Sequence, residues 1–296
     1  MLGGKGLPGR AGWRGGTVPS VTDLGPFELD DAAAVITGAG SGIGRAIAHE
    51  LAARGARVLA TDIDEERATT VAAEITGAGS VAIAQRCDVA RTEDLVAARD
   101  RMLSEFDGVD VVVNNVGVMA AGRPELIPVD EWQRVLDLNV LGVVRSNEVF
   151  LPLLIEQRHG HVVNTASATG ILNYSYDRGP YAASKAAVVM LSEGLFLYLR
   201  PYGVGVSCLC PTGVATNIVE QIRFFGEQLP LRAPDYPVVD ADVAGTRVAD
   251  AIEQRDFLVV TVDAVRDELR RKGADLDGYL RAQERSMHDG DTPSDA

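Results

Sequence analysis

Residues 109–113 are four valines around Asp110, the mark of a strand buried on both faces at the centre of a parallel sheet. On either side the chain alternates. Strand-like apolar runs at 32–37, 57–61, 81–86, 161–165, 205–210 and 257–261 are separated by helical spacing at 44–54, 65–76, 92–106, 131–158 and 181–199. Such an alternation predicts an α/β fold: one doubly wound parallel sheet of about seven strands, with right-handed crossovers and helices on both faces. No repeat or low-complexity linker divides this body, so 31–287 is expected to be one domain. One segment breaks the rhythm. Residues 216–240 hold Pro230, Pro234, Pro237 and the pair Phe224-Phe225. A loop this long in a compact domain is usually functional, so it is expected to be a substrate lid, with a plain surface excursion as the alternative.

The ends read differently. The first sixteen residues carry Lys5, Arg10, Arg14 and seven glycines without an acid or an apolar signal region, and 1–30 is expected to be a disordered leader. Residues 288–296 are expected to be a loose tail. With 46% hydrophobic residues in 296, the chain can bury a sizeable core. A formal net charge of −14 argues against nucleic acid or anionic lipid as a partner. The basic cluster Arg266, Arg270, Arg271, Lys272 is interleaved with Asp267 and Glu268 and reads as a solvated helix face. No unbroken apolar run reaches the roughly 18 residues of a membrane span, so no membrane association is expected. Cys87, Cys208 and Cys210 lack metal-ligand spacing. They read as buried reduced thiols, which implies no metal and a cytoplasmic location.

Candidate chemistry begins where the first strand meets the first helix, at Thr37-Gly38-Ala39-Gly40-Ser41-Gly42-Ile43-Gly44. Glycines here let backbone N–H groups approach a pyrophosphate at a helix N-terminus. Asp62 follows the second strand, where an acid accepts hydrogen bonds from a ribose diol and repels a 2′-phosphate. With Ser41 and Ile63 both uncharged, NAD is expected over NADP. Asp88, after the third strand, is placed to meet an adenine amino group or simply to cap a turn.

Tyr181 and Lys185 open a helix four residues apart, on one face. A phenol of pKa about 10 is a weak base, but a nearby ammonium and a positive nicotinamide ring favour phenolate. Ser167, at a strand end, can hold a substrate oxygen against Tyr181. Alone, such a pair is more often surface decoration; its position after a dinucleotide turn gives it meaning.

These motifs, in this order, resemble the short-chain dehydrogenase/reductase family across about 32–263. Thr37 to Gly44 is similar to TGxxxGxG, Cys87-Asp88-Val89 to the adenine-contacting segment, and Asn114-Asn115-Val116-Gly117 to NNAG, with Val116 for the usual Ala. Pro211 to Thr216 resembles PGxxxT, with Thr212 in place of Gly. The resemblance implies a Rossmann fold and an NAD-dependent oxidoreductase acting on a secondary alcohol or ketone. It implies a catalytic tetrad of Asn139, Ser167, Tyr181 and Lys185, in which Asn139 holds a proton-relay water. Without the tetrad, Asn139 reads equally as a mid-helix Asn satisfied by backbone. Cofactor contacts are implied for Thr37, Gly38, Ser41, Gly42, Ile43, Gly44, Asp62, Ile63, Asp88, Val89, Asn115, Val116, Gly117, Tyr181, Lys185, Pro211, Val214 and Thr216. A homodimer or homotetramer through the helices at 131–158 and 181–199 is implied as well. Tyr174, Tyr176, Phe224 and Phe225 suggest an apolar substrate. The rival reading is a catalytically silent NAD-binding sensor or scaffold on the same fold.

Overall fold

The computed structural model describes residues 24–216, 221–227 and 236–288. The expected leader as far as residue 23, the tail beyond 288 and parts of the expected lid lie outside the described residues. Seven strands, β1 (Ala33–Thr37), β2 (Arg57–Asp62), β3 (Ala82–Arg86), β4 (Val111–Asn114), β6 (Gly160–Thr165), β7 (Val204–Cys210) and β9 (Leu258–Val260), form the main sheet. Their order is β3-β2-β1-β4-β6-β7-β9, and every pairing is parallel. This is the expected doubly wound sheet.

Successive residues of β1 and β4 point to opposite faces, as strand geometry demands. Ala34, Ile36, Val111 and Val113 join one core with Ile47, Leu51 and Ile75 from helices α1 (Gly42–Ala53) and α2 (Glu65–Gly77) and with Val248 and Ile252 from α8 (Ala241–Gln254). Ala33, Val35 and Val112 join the other core with Leu95 and Met102 of α3 (Thr92–Phe106) and Phe150 and Leu154 of α5 (Gly142–Gln157). A third cluster packs α7 (Gly179–Leu199) on the β7 edge with Val265 and Tyr279 of α9 (Ala264–Ala274) and α10 (Leu276–His288). The order reverses between β1 and β4, so loops leaving these strands diverge and open a crevice at their carboxyl ends.

Three expectations need correction. Residues 24–30 are not loose: Phe27 and Leu29 are 2% exposed, and the Phe27 N–H donates to the Glu253 carbonyl at 2.8 Å. Phe27 stacks on His159 and lies under the Arg255 guanidinium, so apolar burial overrides the polar flanks. His288, placed in the tail, ends α10. The helix expected at 131–158 is interrupted: α4 (Val129–Leu136) passes through one π turn, Asp137–Leu141, before α5.

Two helical stretches, Val129–Gln157 and Gly179–Tyr202, are long and apolar enough to cross a membrane by composition, although no unbroken apolar run suggested it. Here each lays a face on the sheet: α5 against α3, β4 and β6, and α7 against β7.

Candidate active site

The glycine turn after β1 is held by sterics. A Cβ on Gly44 would stand 2.1 Å from the Gly38 carbonyl oxygen, so only glycine lets α1 pass this close beneath the turn. Ser41, the N-cap of α1, is extended and makes no side-chain cap, and the first turn carries no acid. The first N–H groups of α1 are thus uncapped beside a cleft lined by Gly38, Ser41, Gly42 and Ile43, a setting suited to a phosphate.

The cleft continues along the strand ends. Asp62 closes β2, its two oxygens accepting from the N–H groups of Gly40 and Asp64, each at 3.0 Å. Ile63 lies on the rim, 61% exposed. Cys87, Asp88 and Val89 line the next stretch, where Asp88 accepts from the Ala90 N–H at 3.0 Å, a local turn. Burial, with Asp94 and Asp88 nearby, pushes the Cys87 thiol up to about 12.

Asn115, at the crevice itself, fastens three strands. Its N–H donates to Thr37 Oγ1 (3.1 Å), its Nδ2 to the Gly38 carbonyl (3.2 Å), and its Oδ1 accepts from Thr165 Oγ1 (3.3 Å). Val116, Gly117, Pro211 and Thr216 also line the cleft. Thr37, Gly44, Asn139, Ser167 and Val214 do not line it. Thr37 donates from its buried hydroxyl to Val113 O, and Val214 bridges to Val239. Both support the walls from behind.

At the inner end stand Tyr181 and Lys185, one turn apart on α7 and both in the lining. Lys185 Nζ donates to the Thr165 carbonyl at 2.7 Å and lies 5.8 Å from the Tyr181 ring centre. Ser167 ends the loop after β6, accepts from the Thr169 N–H at 3.1 Å, and stands close enough to the Tyr181 phenol to favour its ionised form. Burial pushes the Tyr181 phenol up to about 12, against the opposing pull of Ser167 and the Arg178 charge. Burial likewise pulls Lys185 down to about 8, resisted by the thiols of Cys208 and Cys210. Those thiols are buried, and their Sγ atoms are 3.9 Å apart. The lowering expected of the phenol therefore does not come from the chain's own groups, because desolvation outweighs the nearby cation.

A profile of the short chain dehydrogenase family matches residues 32–224, which include the turn, the cleft and the Tyr-Lys helix. The chain belongs to the short-chain dehydrogenase family. The "Probable oxidoreductase EphD" of Mycobacterium tuberculosis is 38% identical to it over 190 residues, 64% of this chain but 32% of that protein. The match thus spans about a third of that relative's own length. An uncharacterized oxidoreductase of Staphylococcus saprophyticus is 34% identical over 192 residues, 64% of this chain and 82% of its own. Among solved structures, a short-chain dehydrogenase/reductase from Burkholderia phymatum in complex with NAD superposes with a TM-score of 0.77. It is 34% identical, and the match covers 85% of this chain and 96% of that one. A short-chain type dehydrogenase/reductase from Mycobacterium marinum superposes at 0.69 with 27% identity, covering 81% and 97%.

In this short-chain dehydrogenase Asn139 lies inside the π turn, 1% exposed. Its Oδ1 accepts from the Val118 N–H at 2.8 Å, while its Nδ2 donates to the Val118 carbonyl (3.0 Å) and Ser184 Oγ (2.9 Å). These bonds tie the Asn139 side chain to the Val118 backbone and to α7. Thr212, where the family motif has glycine, fastens its turn to the end of β9. Its N–H donates to Thr261 Oγ1 at 3.1 Å, and the two hydroxyls are 3.0 Å apart.

Two charged residues escaped the sequence reading of the site. Arg67, in the first turn of α2, lines the cleft and pairs with Asp64 at 3.3 Å; its place five residues past Asp62, at the start of the helix that follows β2, was the available signal. Arg178, the buried N-cap of α7, pairs with Asp177 at 2.7 Å and lies over the Tyr174 ring.

Proposed function

We propose that this short-chain dehydrogenase interconverts a secondary alcohol and a ketone by hydride transfer with NAD, Tyr181 being the general acid/base. The observation that carries the reading is the placing of Tyr181 and Lys185 at the inner end of a cleft whose outer end holds the glycine turn and Asp62, with Ser167 acting on the Tyr181 phenol from just behind the lining. The residues present fit a dinucleotide. The uncapped start of α1 suits a pyrophosphate, and Asp62 keeps lone pairs for a ribose diol while opposing a 2′-phosphate. The NAD complex of the Burkholderia phymatum protein supports the same assignment. When bound, the cofactor supplies a hydride donor or acceptor and, oxidised, a positive ring.

The chain's own residues do the rest. Ser167 and Tyr181 hold the substrate oxygen by hydrogen bonds, and Tyr181 passes or accepts its proton. Lys185, four residues on, contributes positive charge below about pH 8 and can donate to ribose hydroxyls. The Tyr181 side chain is itself buried, so its phenol is shielded from bulk water. The substrate is proposed to be a small, largely apolar alcohol or ketone. Tyr174 and exposed Tyr176 supply aromatic surface beside the Asp177–Arg178 pair. Exposed Leu141 and Val144 on the 129–157 stretch, with Met190 and Leu197 on α7, support a homodimer or homotetramer, which light scattering would show as a multiple of the 31.4 kDa chain.

The deciding experiment follows NADH formation on a panel of secondary alcohols, with NADP in parallel. Turnover with NAD, lost in Tyr181→Phe by at least about a hundredfold, is the expected result. Undiminished turnover in that variant would remove Tyr181 from its role, and NADP working better than NAD would overturn the Asp62 argument.

A further inference from the structure

Between β4 and α4 a second, two-stranded sheet forms. Strand β5 (Ala120–Gly122) pairs in parallel with β8 (Arg223–Phe225), a segment from the region expected to be a lid. Neither strand has enough residues to hold itself, since a two-stranded pair is marginal in water. Something else must seat it, and two features do so. The first is close approach: Gly122 has φ +155°, and a Cβ there would lie 2.4 Å from the Phe225 carbonyl oxygen. The second is charge. Arg223 reaches from β8 to Glu131 of α4, Nη1 to Oε2 at 3.2 Å.

Glu131 is an unusual partner for a surface arginine because it is 5% exposed. Arg134 already grips it, Nε to Oε1 at 2.9 Å and to Oε2 at 3.1 Å. A buried carboxylate needs its charge fully met, and the second arginine comes from the start of β8. Burial raises the carboxyl, yet the two guanidiniums more than offset this and hold it below the usual range. The seat has consequences on both sides. Gln221, two residues before Arg223, lines the cofactor cleft. On the other side the Gly122 N–H donates to the Asp177 carbonyl at 2.8 Å, at the foot of the helix that carries Tyr181. Trp132, next to Glu131, lies against Gly179, the first residue of that helix.

We propose that Glu131 is a positioning residue: through Arg223 it seats the strap 221–226 beside the cleft and so sets the wall at Gln221 and the foot of α7 together. The chemical steps do not pass through it. The inference rests on the proposed oxidoreductase reading only where turnover is measured.

The test uses Glu131→Gln, Arg223→Met and the double variant of the full chain, with Arg134→Met as a control that leaves the Arg223 contact in place. Limited thermolysin digestion, which cuts beside apolar residues such as Phe224 and Phe225, reads the strap without any turnover. Each single variant should be cut there about tenfold faster, within the usual range for coupling between residues in contact, and Arg223→Met, which leaves the Glu131–Arg134 pair intact, should do so with its thermal midpoint little moved. The double variant should be no faster than either single. NADH binding, followed by the fluorescence of the nucleotide, should weaken in parallel. Where turnover exists, KM should rise several-fold with kcat nearly kept. Unchanged strap cleavage, or effects of the two substitutions that simply add, would overturn the proposal. Cleavage and NADH binding that shift as expected in a protein without turnover would keep it while removing the reaction.

Discussion

Lys185 is buried with its ammonium against a carbonyl, not a carboxylate, so burial outweighs the pull of the two neighbouring thiols and the proton is held loosely. Its folded value of about 8 lies below the ordinary 10.5. The stability this residue contributes is therefore complete above 10.5 and lost as pH falls towards 8. Urea titrations of wild type and Lys185→Met should show the wild type gaining on the variant as pH rises through that window, and a constant difference would refute the assigned burial. Ser167, Tyr181, Lys185 and Asp62 were legible from sequence because their spacing relative to strands and helices identifies them. Arg178 and Arg223 were not legible as partners. What each meets is decided by the fold: an arginine at a helix cap or strap looks like any other surface charge until its neighbours are in place.

At the scale of elements, buried strands were the easiest to read, since a run such as 111–113 needs apolar side chains on both faces. The π turn left no trace in the pattern. The apolar stripe of the 131–158 region carries on through Asp137–Leu141, and a widened turn shifts the register without changing residue types. Strands β5 and β8 are three residues each, too short for any period. Helix α8 was missed although Ala244, Val248, Ala249 and Ile252 carry helical spacing, because that stripe is mostly alanine, whose small side chain gives a weak apolar signal. The π turn has a measurable role as the mount for Asn139. Replacing Asn139 by Ala strands the Val118 N–H and carbonyl, and should cost about 2 kcal/mol in chemical denaturation. A loss much below that would mean water replaces the amide without penalty.

For the molecule as a whole, the two sides of the sheet have opposite duties. The carboxyl ends of the strands hold the cleft, and the amino ends are closed by residues 24–30, with Phe27 wedged between His159, Arg255 and the end of α8. Phe27→Ala empties a site that only packing fills and should lower stability by roughly 3 kcal/mol, leaving the affinity for NADH unchanged because its partners His159, His161, Arg255 and Glu253 do not line the cleft. A parallel loss of nucleotide affinity would show that the ends communicate. The resemblance to one family made the fold and most of the cleft readable in advance. The closing segment was misjudged because its two buried residues, Phe27 and Leu29, sit among acids and glycine that resemble a solvated linker.

The sulfur pair beneath Lys185 gives this chain a built-in clock. Cys208 and Cys210 have 0% exposure, so a thiol reagent can reach them only when β7 and α7 part. With Cys87 changed to Ser as background, the rate at which a dye attaches reports how often the inner end of the cleft breathes. A nucleotide seated above should slow that labelling in proportion to its occupancy, so the chain can weigh its own ligand without any substrate being known.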